Sequence, residues 1–129
     1  LIEASHSNGT VVGLVSGGFV EIVDPIAAAL GIDLVTANRL EVVDGRLTGR
    51  TTGPVIDRAA KRHHLFDYAE QLGLTTERVV AIGDGANDLD MLNAAALGIA
   101  YCAKPVTRAA ADAAISFPRL DAVRVFTGL

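Results

Sequence analysis

Acidic residues follow one apolar run of the chain at the point where a strand is expected to end. The apolar run 79–82 is followed by Gly83, Asp84 and Gly85, and Asn87 and Asp88 come next in a predicted helix. In an open α/β sheet, ligands bind outside the carboxyl ends of the strands. Neighbouring carboxylates repel each other, which favours a hard cation such as Mg²⁺ that also bridges to phosphate. The alternative is that Asp84 or Asn87 only caps the helix.

A second strand end repeats this arrangement with small residues. The apolar run 11–15 is followed by Ser16, Gly17 and Gly18, and then by a helix. A hydroxyl and exposed backbone N–H groups near a helix start form an anion site, so Ser16 and Gly17 are candidates for binding phosphate. Taken alone, Ser16 is more often a plain N-cap.

Lys61 is the third candidate, and it depends on its context. Lysine on a helix usually faces solvent, but this chain has two lysines among 11 basic residues, so arginine generally serves for solvation. A lysine ammonium is well suited to hold a phosphate oxygen and to pair with a carboxylate.

Strands and helices alternate along the chain, which indicates βαβ units and a mainly parallel sheet. The strands are predicted at 11–15, 33–38, 79–82, 98–101 and 114–116. Helices are predicted at 1–7, between Gly18 and Gly31, and at 57–72, 87–96, 106–111 and 120–126. One antiparallel hairpin is expected around Asp44-Gly45, between 40–43 and 46–48. The helix that Gly31 ends carries an apolar series at helical spacing, Ile22, Val23, Ile26 and Leu30.

Composition limits the classes of partner. A chain of 129 residues, half of them apolar, predicts one compact globular unit. The net charge of −4 without a basic stripe argues against a nucleic-acid partner. No segment approaches the roughly 20 apolar residues of a membrane helix, so no membrane partner is expected. The single cysteine, Cys102, cannot form an internal disulfide and is expected to be buried, which fits a reducing cytoplasm.

Three motifs of the chain resemble those of one superfamily. The string SGG at 16–18 looks like motif two of the haloacid-dehalogenase superfamily of phosphotransferases. A lysine at a helix start looks like its motif three, and GDGANDLDML at 83–92 looks like its motif four. Its phosphoserine phosphatase branch is similar in VSGGF at 15–19, ANRLEVVDGRLTG at 37–49 and AYCAKP at 100–105. The resemblance covers nearly the whole chain and implies a three-layer, Rossmann-like α/β fold with a mainly parallel sheet and one β-hairpin.

The resemblance also implies a phosphate-binding role for four residues. Ser16 and the backbone of Gly17 would bind the phosphoryl group, and Asn87 would contact it. Lys61 would neutralise the charge of the phosphate and of the nucleophile. These roles suit phosphoryl transfer, which depends mostly on positioning and charge neutralisation around a metal.

Two aspartates complete the implied site. Asp84 would ligate Mg²⁺, and Asp88 would either hold the metal through its water shell or position Lys61. The implied reaction is Mg²⁺-dependent hydrolysis of O-phospho-L-serine to L-serine and phosphate through an aspartyl-phosphate, a step of serine biosynthesis in the cytoplasm.

Motif one and the cap of this branch are missing from the chain. Family members attack phosphate with an aspartate of a DxDx(T/V) motif on the first strand, and no such segment is present. The spacing recurs at Asp88 and Asp90, but there the side chains lie at a helix start and point in different directions. The chain begins with Leu1 in a predicted helix. We therefore expect residues 1–129 to be the C-terminal part of a core domain, inactive alone.

The missing strand also predicts a structural problem. In the superfamily it lies at the centre of the sheet, between the strands that end in Ser16 and Asp84. Buried backbone groups without partners cost about 1 to 3 kcal/mol each. We expect the gap to be closed by direct pairing of these two strands, or by a second chain through self-association at the exposed edges.

Two other functions stay open from the sequence. The chain could be a non-catalytic module that binds metal or phosphate or contacts a partner. It could also derive from the phosphorylation domain of a cation-pumping ATPase, which bears a similar GDGxND string but other residues in place of SGGF.

Overall fold

The computed structural model describes all 129 residues and divides into two compact units, where the sequence predicted one. The N-terminal unit comprises Ile2 and residues 4–57, and the C-terminal unit comprises Leu1, Glu3 and residues 58–129. Each unit contains its own three-stranded sheet. The division follows from these sheets, because the hydrogen bonds of each are made within one unit.

The N-terminal unit is built on a sheet with the strand order β1-β2-β3. Its elements are α1 (Ile2–Ser7), β1 (Gly13–Phe19), α2 (Val20–Leu30), β2 (Leu34–Val43) and β3 (Arg46–Thr52). Strand β1 is parallel to β2, and β2 is antiparallel to β3. The turn between them places Asp44 and Gly45 at φ 50° and 74°, which confirms the predicted hairpin.

Both long strands extend further than predicted. Strand β1 continues through the serine and two glycines to Phe19, and its register with β2 is irregular between Ser16 and Phe19. Strand β2 is continuous where two strands were predicted. Its first half pairs with β1 as far as Asn38, and its second half pairs with β3 from Arg39 onward. One strand thus serves two neighbours in succession, a change of partner that no local pattern signals.

The apolar series of α2 is largely exposed. Ile22, Ile26 and Leu30 keep 63%, 53% and 54% of their surface accessible, whereas Ala27 is buried and Val23 is half-buried. Successive residues of a helix point about 100° apart around its axis. The buried face of α2 is centred on Ala27, one position after Ile26, so the predicted apolar series lies mostly outside that face. Gly31 ends the helix at φ 71°, as predicted.

The C-terminal unit is built on a parallel sheet with the order β4-β5-β6. Its elements are α3 (Arg58–Gln71), β4 (Val80–Gly83), α4 (Leu89–Ala94), β5 (Leu97–Tyr101), α5 (Pro105–Ala110), β6 (Ala113–Ile115) and α6 (Arg124–Thr127). Short 3-10 turns occupy Thr76–Arg78, Ala86–Asp88 and Leu120–Val123. None of the helices in either unit combines the length and apolar character that a membrane span requires.

The core of the C-terminal unit lies on both sides of its sheet. Leu65, Ala81 and Leu92 form one buried cluster, and Ile99 and Ile115 belong to another. Burial of Leu65 confirms part of the predicted inner face of α3.

Two side chains predicted to be buried are exposed. Leu72 keeps 40% of its surface accessible because α3 ends at Gln71, one residue earlier. Cys102 is exposed and follows β5 at φ 45°, so the backbone turns away from the strand direction and carries its thiol out of the core.

The two strands that flank the predicted gap do not pair with each other. Strand β1 pairs with β2, and β4 pairs with β5, each within its own sheet. Direct pairing of the strands ending in Ser16 and Asp84 was therefore a wrong expectation. Connectivity supplies the reason: each strand pairs with the next strand reached through its own crossover helix, as in a βαβ unit.

Candidate active site

The turn after β4 is folded around the carboxylate of Asp88. Backbone N–H groups of Asp84 and Gly85 both donate hydrogen bonds to Asp88 Oδ2, at 3.1 Å each. Asp88 belongs to the 3-10 turn Ala86–Asp88 and is only 3% exposed. The polypeptide therefore reverses at the carboxyl end of β4 and presents Asp84 outward, as the sequence predicted.

The first glycine of this turn is required by close approach. A Cβ atom built on Gly83 would lie 2.7 Å from Cγ of Asp88, five positions later, and Asp88 is buried, so a side chain at Gly83 would push the turn open. A Cβ atom built on Gly85 would overlap the side-chain oxygen of Asn87, two positions later, but Asn87 is exposed and its amide can turn aside.

Lys61 reaches this turn from α3. Its ammonium Nζ donates to Asp88 Oδ1 at 2.6 Å, and the two side chains are only 10% and 5% exposed. Lys61, Leu65 and Ala69 are the buried residues of α3, spaced four positions apart on one face. The apolar part of that face packs into the core and carries Lys61 to Asp88.

Opposing effects act on the ionisation of Asp88. Burial raises its pKa, but hydrogen bonds from Lys61 and Gly85, the charge of Lys61 and the bond from Asp84 outweigh burial and leave the pKa below its ordinary value. Asp88 is therefore an anion at neutral pH, with both oxygens occupied by protein donors. Of the two roles that the resemblance left open, the contact with Lys61 is the one present in the structure.

Asp84 is the residue of this turn that suits a cation. Its side chain is exposed and takes part in no ion pair of the structure. No cluster of three or more His, Cys, Asp or Glu side chains is arranged to hold a metal. Mg²⁺ is usually bound through one or two carboxylates, with waters and substrate phosphate completing its shell. One free carboxylate at a strand end fits that requirement. Asn87 is also exposed on the same turn.

Ser16 and Gly17 belong to the N-terminal unit, where they form the irregular end of β1. The Gly18 N–H donates to Ser16 Oγ at 3.0 Å. Helix α2 begins at Val20 with Phe19 in the capping position, so Ser16 is not a helix N-cap. Its hydroxyl instead stabilises the irregular part of β1 that precedes the pairing of Phe19 with Asn38.

Asn38 holds this irregular part of β1 in place from β2, although no role was predicted for it. Its side-chain amide donates to the carbonyl of Gly17 at 2.9 Å and accepts from the N–H of Ile56 at 2.8 Å. Asn38 is only 8% exposed. The sequence does not single out Asn38, because the strand also carries Thr36, Arg39 and Glu41. A buried amide requires partners, and only the fold brings them to it.

An ion pair between Arg58 and Asp90 was also missed. Arg58 precedes Lys61 by one helical turn, and Asp90 follows Asp88 by two residues. Opposite charges 32 residues apart carry no local signal, so only the packing of α3 against α4 brings them together.

A carboxylate at the end of a parallel strand, beside a buried lysine–aspartate pair, suits an enzyme of the α/β class that places charges around a phosphoryl group and a metal ion. The chain belongs to the haloacid dehalogenase-like hydrolases, because that family's model matches residues 1–93.

Relatives with high sequence identity are phosphoserine phosphatases. The one from Streptomyces coelicolor is 52% identical over 129 residues, which cover 100% of this chain and 32% of the relative. Phosphoserine phosphatase SerB2 of Mycobacterium tuberculosis is 54% identical over 117 residues, covering 91% of this chain and 29% of that protein. The enzyme of Lactococcus lactis is 56% identical, covering 85% of this chain and 51% of its own length. The chain thus spans about a third to a half of these proteins.

Solved structures confirm the predicted fold class. A probable phosphoserine phosphatase from Vibrio cholerae matches with a TM-score of 0.90 and 40% identity, over 95% of this chain and 38% of the other. A substrate-bound phosphoserine phosphatase complex matches with a TM-score of 0.91 and 42% identity, over 97% of this chain and 60% of the other. The three-layer, Rossmann-like assignment therefore holds for this chain.

Proposed function

We propose that this chain is the metal- and phosphate-binding part of a Mg²⁺-dependent phosphoserine phosphatase. The observation that carries the proposal is the buried contact of Lys61 with Asp88, made beneath the exposed carboxylate of Asp84. A lysine is costly to bury without a function or a partner. The high identity to phosphoserine phosphatases supports O-phospho-L-serine as the substrate.

Each residue has a role that its chemistry allows. Asp84 would hold Mg²⁺, which when bound supplies positive charge to the phosphoryl oxygens. Lys61 would add a fixed positive charge, with Asp88 orienting it as a positioning residue. Ser16 and Gly17, which belong to the N-terminal unit, would offer a hydroxyl and backbone donors to a phosphoryl group.

Asn87 would contribute its side-chain amide to phosphate. It lies on the turn that carries the metal-binding carboxylate, and its amide has two donors suited to anionic oxygens. The exposed position of Asn87 supports this role, since a ligand can reach it.

Calorimetric titration with Mg²⁺ and inorganic phosphate tests the proposal against a purely non-catalytic interaction module. Wild-type chain should bind Mg²⁺, and phosphate should bind more tightly when Mg²⁺ is present. Asp84→Asn should abolish Mg²⁺ binding, and Lys61→Met should weaken phosphate binding. The matched control is Asp44→Asn, an exposed aspartate at the hairpin turn. Absence of binding by the wild-type chain, or equal loss in the control, would contradict the proposal.

We expect the isolated chain to turn over little or no phosphoserine, since it contains no DxDx(T/V) motif. Release of phosphate from O-phospho-L-serine should stay at the background seen with Asp84→Asn. Turnover that depends on Asp84 would contradict this expectation and would require a nucleophile among residues 1–129.

Self-association through open sheet edges and a cytoplasmic location remain proposals. Strands β1 and β4 are terminal in their sheets and each leaves one edge without a partner strand. Exposed edges can pair with another chain. Sedimentation velocity over a range of concentrations should reveal a dimer, and a monomer throughout that range would rule out this route.

A further inference from the structure

The first turn of α3 is held in place by charged contacts. Lys61 is the first buried residue of the helix, and its first buried apolar residue is Leu65, a full turn later. Ile56 is buried just before the helix, but Arg58 and Ala59 are exposed, so apolar packing fixes the first turn of α3 less firmly than its middle. Helix ends without packing partners open more easily than helix centres. Polar contacts near residue 58 therefore add to the contact with Asp88 in setting the position of the Lys61 ammonium group.

Arg58 and Asp90 provide such a contact. The Arg58 guanidinium donates to the Asp90 carboxylate, and the side chains are 49% and 38% exposed. The pair of Lys61 with Asp88 connects the same two segments, the first turn of α3 and residues 88–90, so the two ion pairs are neighbours. The inner pair is buried and the outer pair faces solvent.

Other charges near the outer pair have their own contacts. The Arg62 guanidinium lies 4.8 Å from the centre of the Phe66 ring, and its charge adds to the effect of Arg58 on Asp90. The hydrogen bond from Arg58 is the main cause that holds the pKa of Asp90 below its ordinary value. The outer pair is therefore charged on both sides at neutral pH.

We propose that Arg58 and Asp90 are positioning residues for Lys61, holding the first turn of α3 so that the ammonium group stays on Asp88 and presents its remaining donors to a phosphoryl group. The effect on phosphate rests on the proposed function, whereas the effect on Lys61 does not. Salt bridges at a surface contribute little to global stability. Loss of the Arg58–Asp90 pair should therefore loosen the first turn of α3 and leave the free energy of unfolding nearly unchanged. The expected changes are small and specific to Lys61.

The two lysines of the chain make this measurable. In protein labelled with ¹⁵N-lysine, the ammonium signals arise from Lys61 and Lys104 alone. Arg58→Ala and Asp90→Ala should each speed hydrogen exchange of the Lys61 ammonium by about two- to five-fold, the range expected for loss of an exposed ion pair. Lys104 should not change. Affinity for inorganic phosphate with Mg²⁺ should fall by a similar factor.

Two controls separate positioning from a general loss of stability. The exchanged pair Arg58→Asp with Asp90→Arg should restore the wild-type exchange rate of Lys61. Arg119→Ala removes an exposed arginine–aspartate pair elsewhere in the same unit and should leave Lys61 unaffected.

Three outcomes would overturn the proposal: unchanged Lys61 exchange in both single variants, a failed rescue, or an equal response to Arg119→Ala. A wild-type chain that binds no phosphate would sink the proposed function, while Lys61 exchange would still decide this inference.

Discussion

Replacing Asp88 by asparagine removes one charge and changes almost no volume. The carboxylate accepts hydrogen bonds from Lys61, from Asp84 N–H and from Gly85 N–H. Asparagine has a single acceptor oxygen, and its NH₂ group must face either the lysine or the backbone donors of the turn. Whichever way the amide turns, donors meet donors in a site that is only 3% exposed.

The cost follows from the burial of the pair. Leaving the ammonium of Lys61 without its counter-ion costs about 3 to 5 kcal/mol in a buried position. Loss of backbone bonds adds about 1 kcal/mol. The total free energy of unfolding of a domain of this size is roughly 5 to 15 kcal/mol. We therefore expect Asp88→Asn to remove a large part of the stability of the C-terminal unit.

Urea denaturation at pH 7, followed by far-ultraviolet circular dichroism, measures this loss. Asp84→Asn is the matched control, because Asp84 is exposed and forms no ion pair. It should change the free energy of unfolding by no more than about 0.5 kcal/mol. A loss below about 1 kcal/mol in Asp88→Asn would refute the reasoning, because the pair would then behave as a screened surface contact.

Further substitutions and pH test other parts of the structure. Thr107→Val should raise the free energy of unfolding by about 1 kcal/mol, because the buried Thr107 hydroxyl has no hydrogen-bond partner; Thr107→Ser, which keeps the hydroxyl, should not. Gly98→Ala should cost about 2 kcal/mol or more in urea denaturation, because the new Cβ would lie 2.6 Å from the carbonyl oxygen of Leu92. Gly45→Ala meets no atom but must keep φ 74°, and should cost about 1 kcal/mol. Because the pKa of Asp88 is lowered in the folded state, its stabilisation should be full above about pH 5 and be lost as pH falls below about 4. Urea midpoints measured against pH should fall more steeply in wild type than in Asp88→Asn, where the other carboxylates with lowered pKa, such as Asp90, still cause a smaller loss.

Several features of the site could be predicted because they are local. An apolar run that ends in Gly-Asp-Gly is enough to place Asp84 at a strand end. The pair Asp44-Gly45 between two short strands is enough to predict a hairpin. Leu65 and Ala69 follow from helical periodicity alone. Each of these depends on residues close in sequence, and backbone conformation and side-chain direction are set over that distance.

Other features were missed because they depend on partners far along the chain. Asn38 joins Gly17 to Ile56, and its burial only makes sense once β1 and β2 are side by side. The apolar series on α2 was predicted from local periodicity, but its burial depended on packing. Periodicity identified its apolar residues, but the face that packs is centred on Ala27.

The sequence by itself determined that Gly83-Asp84-Gly85 ends a strand, and the motifs with their family resemblance pointed to phosphate and Mg²⁺. It left two roles open for Asp88, and it identified Lys61 as a candidate only through its context. Tertiary structure supplied the contact between the two residues, since packing of α3 buries the lysine on the carboxylate that folds the turn. The physical reason is that strand ends and turns are fixed by neighbours in sequence, whereas a buried charge is stabilised only by a partner that the fold brings to it.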